Sequence, residues 1–191
     1  MGTSVADWDR LSSIYDRQLW LERRAIHEAL ELACATPETA LLDAGTGTGA
    51  LLRALANRAG RPRHAVGVDS SDAMLARVGP LPDGWRLARA DVAALPFDDH
   101  SFDTATAVYL LHVLTPAIRA EALAELRRVL RPGGRLVTVT PVLPSRALSR
   151  PLWWALGELA ELATSRFGGM RPLDPRPVSY THLTLPTTPY V

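Results

Sequence analysis

From residue 40 onward, short apolar runs alternate with stretches whose apolar positions recur every three or four residues. Before that point, residues 8–33 (WDRLSSIYDRQLWLERRAIHEALELA) set Leu19, Ala25, Ile26, Leu30 and Ala33 near helical spacing. One or two helices are predicted there, stopped by Pro37. TALLDAG reads as a buried strand ended by a turn, and ALLRALANRAG as a helix closed by Gly60. HAVGVDS predicts a second strand, SDAMLARV a short helix capped by Ser70 or Ser71, and WRLARAD a third strand. SFDTATAVYLL is a fourth. PAIRAEALAELRRVLR is a helix with Pro116 in its first turn and Pro132-Gly133-Gly134 as its stop, and RLVTVTP is a fifth strand. SRALSRPLWWALGELAELATSRF closes the series as a helix bent or begun at Pro151. Strands alternating with helices at this spacing imply parallel βαβ units in a three-layer α/β sandwich.

Composition narrows the picture. The 191 residues are 47% hydrophobic and 21% charged, with a formal net charge of +1. That is one domain with enough apolar surface for a core, and it excludes disorder for most of the chain. The 21 basic residues face 20 acidic ones with no block of either sign, so a nucleic-acid binder held by charge alone is excluded. Every basic residue is arginine. Beside abundant Ala, Leu and Pro, this reads as GC-rich coding and not as guanidinium chemistry. The single cysteine, Cys34, excludes an internal disulfide and any CxxC metal or redox motif. No apolar run approaches the roughly 20 residues of a membrane span, and the polar start MGTSVADWDR is no signal peptide. The expectation is a cytoplasmic protein with no metal site.

The densest candidate chemistry lies in Leu41-Leu42-Asp43-Ala44-Gly45-Thr46-Gly47-Thr48-Gly49. Glycines between a strand and a helix let the backbone turn sharply and let a ligand lie against it. Gly45, Gly47 and Ala50 also satisfy a dinucleotide fingerprint, so the loop does not choose between nucleotide cofactors. Three carboxylates choose. Asp69 ends the second strand, where it can accept from both hydroxyls of a ribose. Asp91 ends the third, where a side chain meets an adenine edge. Asp43 precedes the loop, where it would repel a pyrophosphate but suit an ammonium or sulfonium group. A ligand with ribose, adenine and a cationic end fits these positions, and S-adenosylmethionine is that ligand. Each acid also has a plainer reading, as a turn former or helix cap, and Met74 reads as core.

Beyond these residues, the chain resembles the class I S-adenosylmethionine-dependent methyltransferases, in the group that includes the ubiquinone and menaquinone biosynthesis enzymes. LLDAGTGTG, VGVDSSDAML, ADVAALPFDDHSFDTATAVYLLHVL and ELRRVLRPGGRLV carry the resemblance, from about Tyr15 to Thr140. It implies a Rossmann-like sandwich whose seven strands run 3-2-1-4-5-7-6, with strand seven antiparallel. It implies that the loop of Gly45, Thr46, Gly47 and Gly49 cradles the methionine part and ribose, with Asp43 near the amino group. Asp69 and Ser70 would meet the ribose, Asp91 the adenine amino group, Val92 the ring through its N–H, and Val108 the reactive methyl.

Methyl transfer from a sulfonium asks the protein chiefly to hold a nucleophile close and aligned. A base is sometimes added. His112 is the one candidate, with Tyr109 beside it, and its plainer reading is packing in the segment that follows the fourth strand. Tyr15 and Trp20 read either as part of an N-terminal lid over the cofactor or as helix core. Enzymes that methylate amino groups of bases carry an Asn/Asp-Pro-Pro-aromatic motif after the fourth strand. Here that place reads Ala107-Val108-Tyr109-Leu110, which points away from nucleic acid and toward an oxygen, carbon or amine of a small molecule. An NAD(P)-dependent oxidoreductase is the competing enzyme class. The lack of lysine removes its Tyr-x-x-x-Lys branch.

Residues 178–191, VSYTHLTLPTTPYV, hold no Arg, Ala, Gly or charged side chain. VSYTHLTLPT reads as the translation of a nucleotide sequence that resembles the end of a transposase-based sequencing-library adapter. The expected organisation is therefore an N-terminal helical lid at 1–36, a cofactor-binding core at 37–176 and a non-native tail at 177–191. Five of the family's seven strands would be present, with strand five an unpaired edge. A cofactor-binding fragment without activity is the corresponding alternative, and His182 and Tyr180 are expected to carry no site.

Overall fold

A computed structural model of the chain describes residues 19–140 and 182–184. Helix α1 (Leu19–Ala33) buries Ile26, Ala29, Leu30 and Ala33 on one face, the i, i+3, i+4, i+7 stripe of an amphipathic helix. Strand β1 (Ala40–Ala44) is buried from Leu41 to Ala44, as an interior parallel strand must be. Then follow α2 (Ala50–Ala56), β2 (His64–Asp69), α3 (Asp72–Leu75) and β3 (Trp85–Arg89). Strand β4 (Phe102–Val108), helix α4 (Pro116–Val129), strand β5 (Leu130–Val139) and strand β6 (His182–Thr184) complete the described elements. The Ser71 hydroxyl caps α3 by accepting from the Met74 N–H, and Thr115 caps α4.

The sheet order is β3-β2-β1-β4-β5-β6, parallel except for β6. Neighbouring residues on each strand face different cores, following the two-residue period of a strand. Leu42, Val66 and Leu136 pack with Ala122, Leu126 and Val129 of α4. Leu41, Ala65 and Val137 pack with α1 and α2. This is a three-layer α/β sandwich of Rossmann-like form. The chain moves outward from β1 to β3, then returns to place β4 on the other side of β1. A crevice opens there at the carboxyl ends of the strands, where open α/β sheets bind ligands.

Three expectations need correction. The fourth strand ends at Val108 and does not run on to Leu111, because Tyr109 takes a left-handed φ of 55° and breaks the ladder. Pro132-Gly133-Gly134 is not the gap between helix and strand. Leu130 already pairs with Phe102, and pairing resumes at Thr104 and Arg135. The intervening residues form an irregularity that a proline without an N–H and a glycine at φ 76° can accommodate. Finally, the edge of β5 is not bare. His182–Thr184 pairs antiparallel with residues 135–137, since an open edge offers unmatched N–H and C=O groups to any segment of strand-forming composition. The lid reading of Tyr15, the helix after Pro151 and the rest of the tail lie outside the described residues, as does the side chain of Trp20.

Candidate functional site

The loop after β1 holds its shape through three glycines with positive φ: 68° at Gly45, 54° at Gly47 and 79° at Gly49. Two are also required by packing. A Cβ on Gly45 would lie 2.8 Å from Leu110 Cδ1, and one on Gly49 would lie 2.6 Å from Val78 Cγ1. Above Gly47 there is open space, which leaves bare backbone on the cleft floor.

Asp69, at the end of β2, ties this loop to the next helix. Its Oδ2 accepts from the Gly47 N–H at 2.9 Å and its Oδ1 from the Ser71 N–H at 2.9 Å. A carboxylate oxygen can accept more than one hydrogen bond, so this group can in principle serve loop and ligand together. The Thr46 N–H donates to the Val68 carbonyl at 2.9 Å, pinning the loop between β1 and β2. On the other side, Asp91 is exposed and accepts from the Ala93 N–H at 2.9 Å. The segment after it is clamped to α4. The Leu95 N–H donates to Glu125 Oε2, while Arg128 donates to the carbonyls of Leu95 and Phe97 and to Asp99.

Gly45, Gly47, Asp69, Ser70, Asp91, Val92 and Val108 line one cleft, so the topology brings together seven of the residues singled out in the sequence. Asp43, Thr46, Gly49 and His112 are not on its wall. Asp43 is buried beneath the loop, its Oδ2 accepting from the Thr46 hydroxyl and its Oδ1 from the Thr106 hydroxyl, both at 2.7 Å. Burial pushes its pKa up to about 6 against these hydrogen bonds, and the nearby Asp69 charge adds to the rise. Gly49 is packed under Val78. His112 is 2% exposed, and its Nδ1 is buried without a hydrogen-bond partner. Burial first, then the Arg119 charge, lowers its pKa to about 4, so the ring is neutral near pH 7.

The wall also holds Tyr109, named in the sequence beside His112, and residues that sequence reasoning missed: Val68, Ala90, Leu110, Val113 and Leu114, with Met74, which was assigned to the core. Met74 is both buried and part of the wall. For Leu110, Val113 and Leu114 the signal was the length of SFDTATAVYLLHVL, whose apolar run outlasts a strand. Among the described residues, Asp69 and Asp91 are the only carboxylates on the wall, and no arginine joins them. Such a wall suits a ribose, an adenine amino group and a cationic end, and opposes a pyrophosphate. Among the described residues, no group of three or more His, Cys, Asp or Glu could hold a metal.

A family model described as a methyltransferase domain matches residues 41–134. Those residues belong to the class I S-adenosylmethionine-dependent methyltransferases. Their cofactor is S-adenosylmethionine. Over 121 residues the chain is 42% identical to the ubiquinone/menaquinone biosynthesis C-methyltransferase UbiE of Bordetella avium, covering 61% of this chain and 44% of that protein. It is 31% identical over 157 residues to the demethylmenaquinone methyltransferase of Lactiplantibacillus plantarum, covering 79% of this chain and 65% of the relative. The fold is shared with a crystal structure from Thermotoga maritima described as a possible histamine N-methyltransferase, at TM-score 0.64 and 22% identity, over 91% of this chain and 76% of that one. The chain thus spans from under half to about two thirds of the length of these curated relatives. No helix among the described residues is long and apolar enough to cross a membrane.

Proposed function

We propose that this methyltransferase chain transfers a methyl group from S-adenosylmethionine to a small-molecule acceptor. The observation that carries the reading is the cleft wall at the switch point, with carboxylates at the ends of β2 and β3, bare backbone at Gly47 and no basic side chain among the described residues. When bound, S-adenosylmethionine supplies a methyl group already activated on sulfur. The chain's own residues bind and orient. Asp69 takes the ribose hydroxyls with Ser70 beside it, Asp91 and Val92 take the adenine, and the loop of Gly45 and Gly47 takes the methionine part. Asp43 and Thr46 act from beneath, setting the loop and adding negative potential below a cationic ligand. Val108 faces the methyl, and no base is assigned.

The acceptor proposed is an oxygen, carbon or amine nucleophile of a small molecule in the cytoplasm, with carbon favoured by the similarity to the C-methyltransferase of Bordetella avium. Ala107-Val108-Tyr109-Leu110 supports an acceptor other than nucleic acid. The proposed organisation keeps 1–36 as a lid segment, 37–176 as the cofactor-binding core and 177–191 as an added tail. Titration calorimetry on the chain tests the cofactor assignment. S-adenosylhomocysteine should bind, and NAD and NADP should not. A preference for either nicotinamide cofactor sinks the reading, while binding without turnover of any acceptor would leave a cofactor-binding fragment.

A further inference from the structure

Residues 109–114 lie between β4 and α4 and belong to no helix or strand. They nevertheless supply Tyr109, Leu110, Val113 and Leu114 to the cleft wall. Backbone bonds hold this segment at two points, the Tyr109 N–H on the Val139 carbonyl of β5 at 2.8 Å and the Val113 N–H on the Leu110 carbonyl at 3.1 Å. Tyr109 sits at φ 55°, a conformation its surroundings must impose. Leu110 rests on the glycine loop, so closely that Gly45 has no room for a Cβ. The position of this segment therefore sets the clearance above Gly45.

Arg119, in the first turns of α4, reaches back over the segment. Its Nε donates to the Leu111 carbonyl at 2.7 Å and its Nη2 to the Leu114 carbonyl at 2.9 Å. The helix behind it is anchored by the Thr115 cap and by buried Ala122, Leu126 and Val129. A planar fork with two donors engaged fixes direction as well as distance. Arg119 is not on the cleft wall. We propose that Arg119 is a positioning residue of the cofactor cleft, stapling the Leu111 and Leu114 carbonyls to α4 and so holding Leu110, Val113 and Leu114 over the glycine loop. This rests on the cofactor reading given above.

The test uses the full chain with Arg119→Met and Arg119→Lys, measuring S-adenosylhomocysteine affinity and, without ligand, amide hydrogen exchange. Arg119→Met keeps the stem but loses both donors. It should weaken binding on the order of tenfold or more and speed exchange at residues 110–114 while β1 and β2 stay protected. Arg119→Lys keeps charge and donors without the fork and should fall between. Lower thermal stability with affinity within about twofold and unchanged exchange at 110–114 overturns the proposal. If Arg119→Met does not fold, the same two readouts on Arg119→Lys decide. If the parent chain binds no S-adenosylhomocysteine, the cofactor reading fails, and the exchange comparison alone decides whether Arg119 is a staple.

Discussion

At Asp69, one carboxylate fixes the Gly47 and Ser71 amides and also lies on the cleft wall. Asp69→Ala should weaken S-adenosylhomocysteine binding by about 1–3 kcal/mol, the cost of leaving hydroxyls without a partner. Calorimetry that shows unchanged affinity would remove Asp69 from the site. Asp43 and His112 make a pH prediction of opposite signs. Asp43 rises from 3.8 to about 6 in the fold, so its contribution is present at low pH and lost as pH rises through about 6. His112 falls from 6.5 to about 4, so its contribution is present above 6.5 and lost as pH falls through about 4. The two largely oppose each other between pH 4 and 6.5. Asp43→Asn should leave a melting temperature that climbs with pH in this window relative to the parent, and His112→Phe one that declines. Parallel pH profiles for all three proteins would show that these groups do not titrate as their burial requires.

At the scale of elements, the loop between β1 and α2 separates two requirements that one glycine motif conceals. Gly45 must lack a side chain because Leu110 lies against it, whereas above Gly47 the space is open. Gly47→Ala should therefore cost only the strain of an L-residue at positive φ, about 1–2 kcal/mol. Its methyl group would nonetheless stand where a ligand lies on bare backbone, so S-adenosylhomocysteine binding should be lost while the fold survives. Gly45→Ala adds a steric clash to the same strain and should destabilise by about 2–4 kcal/mol in denaturant unfolding. If Gly47→Ala bound ligand normally, the cleft floor would be elsewhere.

For the whole molecule, the reversal of strand order between β1 and β4 creates the crevice, and packing on both faces of the sheet holds it open. The far edge matters for solubility more than for the site. Strand β6 covers only residues 135–137 of β5, at cross-strand energies of a few tenths of a kcal/mol for each pair. Deleting residues 177–191 should change unfolding free energy by about 1 kcal/mol or less. Light scattering should show more self-association, because the β5 edge is then exposed. A deletion that unfolded the domain would mean that these residues belong to the core and are no added tail.

Apolar runs and helical spacing were enough to establish the α/β class, the five parallel strands and the places of Asp69 and Asp91, because strand and helix periods are local properties of the chain. The glycine loop was legible for the same reason, since its requirement for positive φ is met within a few residues. Distance in sequence hid the rest. Asp43 finds Thr106 only after β4 enters beside β1, which turns a candidate ligand contact into a buried support. Leu110 meets Gly45, and Arg119 meets Leu111 and Leu114, only once the segment after β4 has folded over the crevice. Pro132-Gly133-Gly134 reads locally as a helix stop, and it becomes a strand irregularity because Leu130 can pair with Phe102. The chain by itself offered the residues proposed for a nucleoside, whereas the sheet order decided which of them share a wall, because only long-range pairing sets the distance between strand ends.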